Sequence, residues 1–366
     1  MKLPKSMRLL AGAGLIALLA ACSGGLIQGS ARSQQPLNST TVAALRTMGS
    51  SPQAGMVVRI FKEEKVLEVW KEKSDGTYGL FRSYDICAYS GEYGPKIAEG
   101  DRQAPEGFYT ITPGLMNPNS NYYLAFNTGY PNKFDRAHGR TGANLMVHGA
   151  CSSRGCYSMT DESIAEIYAL ARESLAGGNR SFQVQAFPFR MTGENLALYH
   201  DSDNLAFWRN IKVGYDHFEV THRPPQWDVC GGEYVFDARA ESGQPLDARA
   251  ACPALVRDSN IESLVAAKEA QDNRAFEAKV ASLEDAQQRQ VEQAQRQAEQ
   301  QAAAQARDAA VKETMDNIGE SVGGFFGSLF GIQSQPSTPT ELVNPPAQTV
   351  DASQAPQPQE PPANRS

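Results

Sequence analysis

Short runs of apolar residues, each broken by turn-formers, fill the chain from residue 56 to residue 126. Val57-Val58-Arg59-Ile60-Phe61, Val66–Lys71, Tyr78–Tyr84, Gly107–Ile111 and Tyr122–Phe126 read as five short β-strands. The period then changes. Ile164, Ile167, Tyr168 and Ala171 share one face of a helix over 161–175, with Thr160 placed to cap its start and Gly177-Gly178 to end it. Strand alternation returns at Phe182–Phe187. A second helix is predicted over Asn204–Val213, and Tyr215–Glu219 extends it. The pattern predicts a mainly β domain with packed helices, an α+β fold, over residues 56–257.

The ends of the chain are built differently. Lys2, Lys5 and Arg8 precede an apolar run, Leu9–Ala21, which has the form of a secretory signal and is short for a membrane span. The run ends in Leu19-Ala20-Ala21-Cys22, which resembles a bacterial lipobox. On that reading residues 1–21 are removed and Cys22 carries lipid. The protein then faces the periplasm from a membrane, and from the outer membrane, because Ser23 is no retention signal. The other reading is an ordinary signal peptide with Cys22 incidental. Residues 22–55 are rich in Gly, Ser and Gln and read as a tether with one short helix near Thr41–Met48.

Residues 258–316 shift to Ala, Gln, Glu, Arg and Lys, a strongly helix-forming mixture without sustained heptads. A single solvated helix or a spacer is expected there. Residues 317–366, rich in Pro, Gln and Ser, are expected to form a disordered tail. The tail carries a short apolar, Gly-rich stretch, Val322–Gly331, suited either to docking on a partner or membrane surface or to no role at all. The net charge of −7 argues against nucleic acid as a partner.

Candidate chemistry concentrates in Leu145-Met146-Val147-His148-Gly149-Ala150-Cys151-Ser152-Ser153-Arg154-Gly155-Cys156. A thiol is a weak nucleophile until a base takes its proton, and an imidazole nearby can do so. Leu145–Val147 reads as a strand end that holds His148. Gly149 and Gly155 remove side chains where a substrate backbone would approach. The window therefore suggests cysteine acyl transfer. Six cysteines are present. With Cys22 assigned to lipid and Cys156 to chemistry, four remain: Cys87, Cys151, Cys230 and Cys252. They allow three pairings, one being Cys230 with Cys252 and Cys87 with Cys151, or they stay free thiols. His200, His217 and His222 are too scattered to form a metal set with them, so no metal and no cofactor are expected.

Several separated segments carry a resemblance. Gly94–Tyr109 resembles the Gly–x–Pro–x–Gly strand region of L,D-transpeptidase (YkuD-type) catalytic domains. Asn127–Gly142, with Tyr130-Pro131-Asn132 and Phe134-Asp135-Arg136-Ala137-His138-Gly139-Arg140, looks like the YafK-like branch of that superfamily, as does Phe187–Thr192. His148-Gly149 followed by Ser153-Arg154-Gly155-Cys156 matches the superfamily signature. The resemblance covers roughly residues 56–235 and implies a β-sandwich catalytic domain followed by the helical or disordered extension.

Carried over residue by residue, it implies Cys156 as nucleophile, His148 as general base and acid, and Gly155 and Cys156 as backbone donors to an oxyanion. Ser153 and Arg154 complete the motif. Most members carry histidine where this chain has Arg154, and the His–Cys separation is shorter than usual. Arg154 is read either as a cation that lowers the Cys156 pKa or grips a carboxylate, or as a solvent-facing arginine. Tyr130, Arg136, Arg140 and Gly149 are the implied substrate-binding set; the alternative for Asp135, Arg136 and Arg140 is a salt-bridged loop. Cys151 is the rival thiol. His138 is a cleft or surface histidine.

The implied substrate is a peptidoglycan stem tetrapeptide containing diaminopimelate. The thioester then passes to an amine, in wall crosslinking or anchoring, or to water. A hydrolase that frees a peptidoglycan-attached outer-membrane protein is the enzymatic alternative. A non-catalytic wall-binding lipoprotein is the third reading, and the intact His148 and Cys156 argue against it.

Overall fold

A computed structural model describes residues 30–330; the lipobox with Cys22 and residues 331–366 lie outside the described residues, whereas residues 317–330, expected as the start of a disordered tail, continue the long C-terminal helix. The chain opens with helix α1 (Ser39–Thr47), capped by the Asn38 side chain on the Thr41 N–H. Strands β1 (Met56–Phe61), β2 (Val66–Glu72), β3 (Tyr78–Asp85), β4 (Ala88–Tyr89), β5 (Gly107–Ile111), β6 (Met116–Asn117) and β7 (Ala125–Asn127) follow. Next come α2 (Lys133–Ala137), β8 (Met146–His148), β9 (Tyr157–Ser158), α3 (Asp161–Ala176) and β10 (Phe182–Phe187). Helices α4 (Gly193–Ala197) and α5 (Leu205–Thr221) lead to the hairpin β11 (Trp227–Cys230) and β12 (Glu233–Phe236). The strand pair β13 (Ala238–Ala240) and β14 (Leu255–Arg257) precedes α6 (Ser259–Phe330).

Two five-stranded sheets result. One runs β3-β2-β1-β10-β5 and the other β4-β9-β8-β7-β6. Each contains one parallel pair, β1 with β10 and β8 with β9, among antiparallel neighbours. The period of two explains why β1 is buried throughout. Val58 and Ile60 join a core shared with Phe126, Val147 and Tyr157 of the second sheet and with α3. Phe61 points the other way, into an aromatic cluster under α5 with Phe108, Phe187, Trp208 and Tyr215. Phe126 and Phe182 meet edge to face across the sheets at 5.5 Å. The fold is thus the expected sheet-on-sheet domain with packed helices.

The helix read over 161–175 is α3, with Thr160 capping through the Ser163 N–H. The two segments read around 204–219 are one helix, α5. The strand expected over Tyr122–Phe126 starts only at Ala125. Its first residues are drawn out of register because Tyr123 is left-handed (φ 68) and the Tyr122 carbonyl accepts the Gly149 N–H.

Two boundaries also differ from expectation. Residues 30–55 lie against the domain, with Ser33 and Leu45 buried and Arg172 donating to the Ser33 carbonyl at 2.5 Å. At the other end the first turns of α6 pack on α4 and α5. Lys212, Asp216, Lys268 and Asp272 form a network, with Lys212–Asp216 at 2.5 Å and Lys268–Asp272 at 2.9 Å. The compact unit runs through Gln287. From Gln288 on, the described side chains of α6 are exposed, as its polar composition dictates. Among the described residues no helix is long and apolar enough to cross a membrane.

Candidate active site

Strands β8 and β9 lie side by side in parallel, pairing Val147 with Tyr157 and His148 with Ser158. The loop between them must therefore return the chain to the start of β9, and it carries Cys151 through Cys156. Its first half is anchored closely. The Gly149 N–H donates to the Tyr122 and Leu124 carbonyls, the Ala150 N–H to Asp161 Oδ1, and the Cys151 N–H to the Met159 carbonyl. Gly149 fits because a Cβ there would lie 2.6 Å from Asp161 Oδ1. Cys151 is disulfide-bonded to Cys87, and Cys230 to Cys252. Cys156 is the free thiol among the described residues.

His148 and Cys156 line one cleft of about 550 Å³ with Asn117, Ser120, Asn121, Tyr122, Asn144, Met146, Ser152, Ser153 and Arg154. His148 is 4 % exposed, with the Tyr122 ring 4.8 Å from its own. Its Nδ1 lies 2.6 Å from the Gly149 carbonyl. A carbonyl only accepts, so Nδ1 carries the proton in the neutral ring and Nε2 keeps the lone pair of a base. Burial lowers the His148 pKa below its ordinary 6.5, against the raising effect of that hydrogen bond.

The thiol is tuned the other way. Burial raises the Cys156 pKa above 9.0, while the Met146 N–H and the charge of Lys96 pull it back. The Met146 N–H donates to Sγ at 3.3 Å, and the S–H points to the Asn144 carbonyl at 3.9 Å. The resting site is therefore a neutral thiol and a neutral imidazole. Such a pair separates charge only when an electrophile arrives to take the sulfur's electrons.

A protein from Escherichia coli strain K12 named "Putative L,D-transpeptidase YafK" is 46% identical over 178 residues, 49% of this chain and 72% of that relative; its counterpart in a second strain of the species matches equally. The chain belongs to the L,D-transpeptidase family. No family model matches it. Among solved structures it is similar to the helical cell shape determining protein Pgp2 from Campylobacter jejuni, at 20% identity and a TM-score of 0.29 over 50% of this chain and 66% of that one. It is also similar to Bd1075 from Bdellovibrio bacteriovorus, at 20% identity and a TM-score of 0.25 over 37% and 48%. The chain spans less than two thirds of each of those structures.

In this L,D-transpeptidase chain the sequence-selected residues divide. His148, Ser153, Arg154 and Cys156 share the cleft, and Gly149 and Gly155 shape the loop that borders it. Arg154 is exposed. Tyr130, Arg136 and Arg140 do not line the cleft. Tyr130 is buried and its hydroxyl donates to the Lys96 carbonyl at 3.1 Å. The Arg140 guanidinium is buried against Asp135 at 2.9 Å, and Arg136 donates to the Pro131 carbonyl. Arg140 therefore forms a salt bridge, because α2 tucks Asp135 into the core and that carboxylate needs a cation, whereas Arg136 holds only backbone.

The expected backbone donors are also occupied. The Gly155 and Cys156 N–H groups donate to Ser153 Oγ at 3.3 and 3.0 Å, and the Ser153 hydroxyl donates to the Cys156 carbonyl at 2.6 Å. An incoming oxyanion has to displace Ser153 Oγ to reach them. His138 is outside the cleft, bonded to the Gly232 carbonyl. Sequence reading missed the wall of Asn117, Ser120, Asn121, Tyr122 and Asn144, and the influence on the thiol of the Lys96 charge, which is itself paired with Asp101. Asparagines among turns carry no periodic signal; Tyr122 was hidden in an apparent strand.

Proposed function

We propose that this chain is a cysteine acyl-transfer enzyme of the peptidoglycan stem peptide, working through a thioester on Cys156. The observation that carries the reading is one cleft holding a free, half-buried thiol just before β9 and a buried imidazole, oriented by the Gly149 carbonyl, at the end of its parallel neighbour β8. His148 Nε2 takes the S–H proton as the sulfur adds to the amide carbonyl. The tetrahedral oxyanion collapses, the C–N bond breaks, and the imidazolium gives its proton to the departing amine. A thioester remains. A second amine, or water, adds to it, and the thiol returns.

The family membership supports the amide of a diaminopimelate-containing stem peptide as donor. The amide-rich wall of Asn117, Asn121 and Asn144 suits a peptide backbone. Lipid on Cys22 would hold the enzyme at a membrane facing the wall.

The test is incubation of purified muropeptides with the enzyme and with Cys156→Ala, followed by mass spectrometry. Cys156-dependent dimers joined at two diaminopimelates mean transfer to an amine; freed tripeptide or released protein means transfer to water. No Cys156-dependent product in any condition removes the proposal.

A further inference from the structure

The loop that carries the thiol has little regular structure to hold it. Ala150 (φ 65) and Cys151 (φ 43) both sit in the left-handed region, which side chains other than glycine avoid. Beside the backbone bonds of Gly149, Ala150 and Cys151, a covalent bond to Cys87, 64 residues away in sequence, holds this strained start. Cys87 itself is placed by its N–H on the Ser158 carbonyl, and the next two residues form β4, the edge strand paired with β9. One residue further on, the Ser90 hydroxyl lies 3.3 Å from the Ser153 hydroxyl. Ser153 in turn holds the Gly155 and Cys156 N–H groups. The segment 87–90 therefore grips the loop at two points, by a disulfide at Cys151 and by a hydroxyl contact at Ser153. Cys87 and Cys151 are both exposed, so a reductant in solution reaches them.

We infer that Cys87 and Cys151 are a positioning pair for the nucleophile, and that their disulfide makes acyl transfer by Cys156 depend on redox state. A dithiol reductant gives two electrons and two protons to the disulfide, leaving thiols at 87 and 151 and becoming a disulfide itself. The loop then loses its one covalent tie, β4 is left with two residues of pairing, and Ser153 loses its support from Ser90. Cys156 moves toward solvent. Two effects of opposite sign follow. A solvated thiol ionises more readily and reacts faster with a small electrophile at neutral pH. The same thiol, no longer fixed against the cleft, adds more slowly to a peptide carbonyl.

The inference rests on the reading of Cys156 as nucleophile, but half of its test needs no peptidoglycan. The full-length protein is compared with Cys87→Ser/Cys151→Ser, with Cys230→Ser/Cys252→Ser and with Ser90→Ala. Iodoacetamide labelling of Cys156 is followed against pH by peptide mass spectrometry, beside stem-peptide turnover and thermal unfolding. The first variant is expected to label Cys156 about threefold or more faster at pH 7, with its pH inflection moved down, and to lose about tenfold or more in kcat. Ser90→Ala, which leaves the disulfide intact, is expected to move both readouts the same way and less far. The Cys230/Cys252 variant is expected to move neither below its unfolding temperature.

Labelling and turnover within twofold of wild type in both the Cys87/Cys151 and Ser90 variants overturn the inference, as does a parallel fall of both rates. If the Cys87/Cys151 variant does not fold, Ser90→Ala decides alone. If wild type turns over no stem peptide while the labelling split is present, the substrate reading fails and the positioning stands.

Discussion

At the scale of single residues, the resting protonation of the site sets its pH dependence. The base must be neutral, and burial lowers the His148 pKa, so neutral imidazole persists to more acid pH than in a free histidine. The thiol stays protonated to more alkaline pH than usual, because burial raises its pKa. The pH profile of kcat/KM should therefore rise through an acid limb below 6.5 and fall only above 9.0. A preformed thiolate–imidazolium pair would instead lose activity as the imidazolium gives up its proton, so an alkaline limb below 9.0 contradicts the neutral resting state.

Arg154 supplies a second residue-scale prediction. It lines the cleft, is exposed, and leaves Lys96 as the cation that acts on the thiol. Arg154→Gln should leave the thiol titration where it is and raise KM for a carboxylate-bearing stem peptide by about tenfold, with kcat within about twofold. An unchanged KM returns Arg154 to solvent.

At the scale of elements, α6 is the test. Gly193 opens α4, and a Cβ there would lie 1.9 Å from the Asp272 carbonyl oxygen, so backbone meets backbone where α6 docks. Gly193→Ala should cost about 1–3 kcal/mol, read as a lowered midpoint in urea with the slope unchanged. A midpoint equal to wild type would show that α6 is not seated there. A milder change, Thr160→Ala at the α3 N-cap, should cost about 1 kcal/mol in the same assay.

These elements differ in how readable they were. α3 was legible because one amphipathic face, a capping threonine and terminal glycines agree. The docking of α6 was not, because Val265 and Phe276 are isolated apolar residues in a polar helix, and the ions that seat it are far apart in sequence. In the site, the placing of His148 and Cys156 in one cleft was legible from local spacing. The clamp role for Arg140 was not testable by spacing, since its partner Asp135 becomes buried only through α2. The amide wall of the cleft was invisible for the same reason: its members come from loops that meet only in the folded chain.

At the scale of the whole molecule, the placement of the enzyme is a prediction from its first residues. Cys22→Ser should abolish labelling by a lipid precursor and move the protein from the membrane pellet to the soluble fraction. Retention in the pellet with no label would leave another anchor to be found. A chain ending at Gln287, the limit of the compact unit, should keep the thermal midpoint and the Cys156 chemistry of the longer one.

The thioester on Cys156 is a covalent species, and intact-protein mass spectrometry after rapid quenching detects it. On mixing with a diaminopimelate-containing stem tetrapeptide, the enzyme should gain the mass of the acyl fragment without its departed amine. Digestion should place that gain on Cys156, and Cys156→Ala should show none. An adduct on another residue, or product formed equally by Cys156→Ala, rules out Cys156 as the nucleophile.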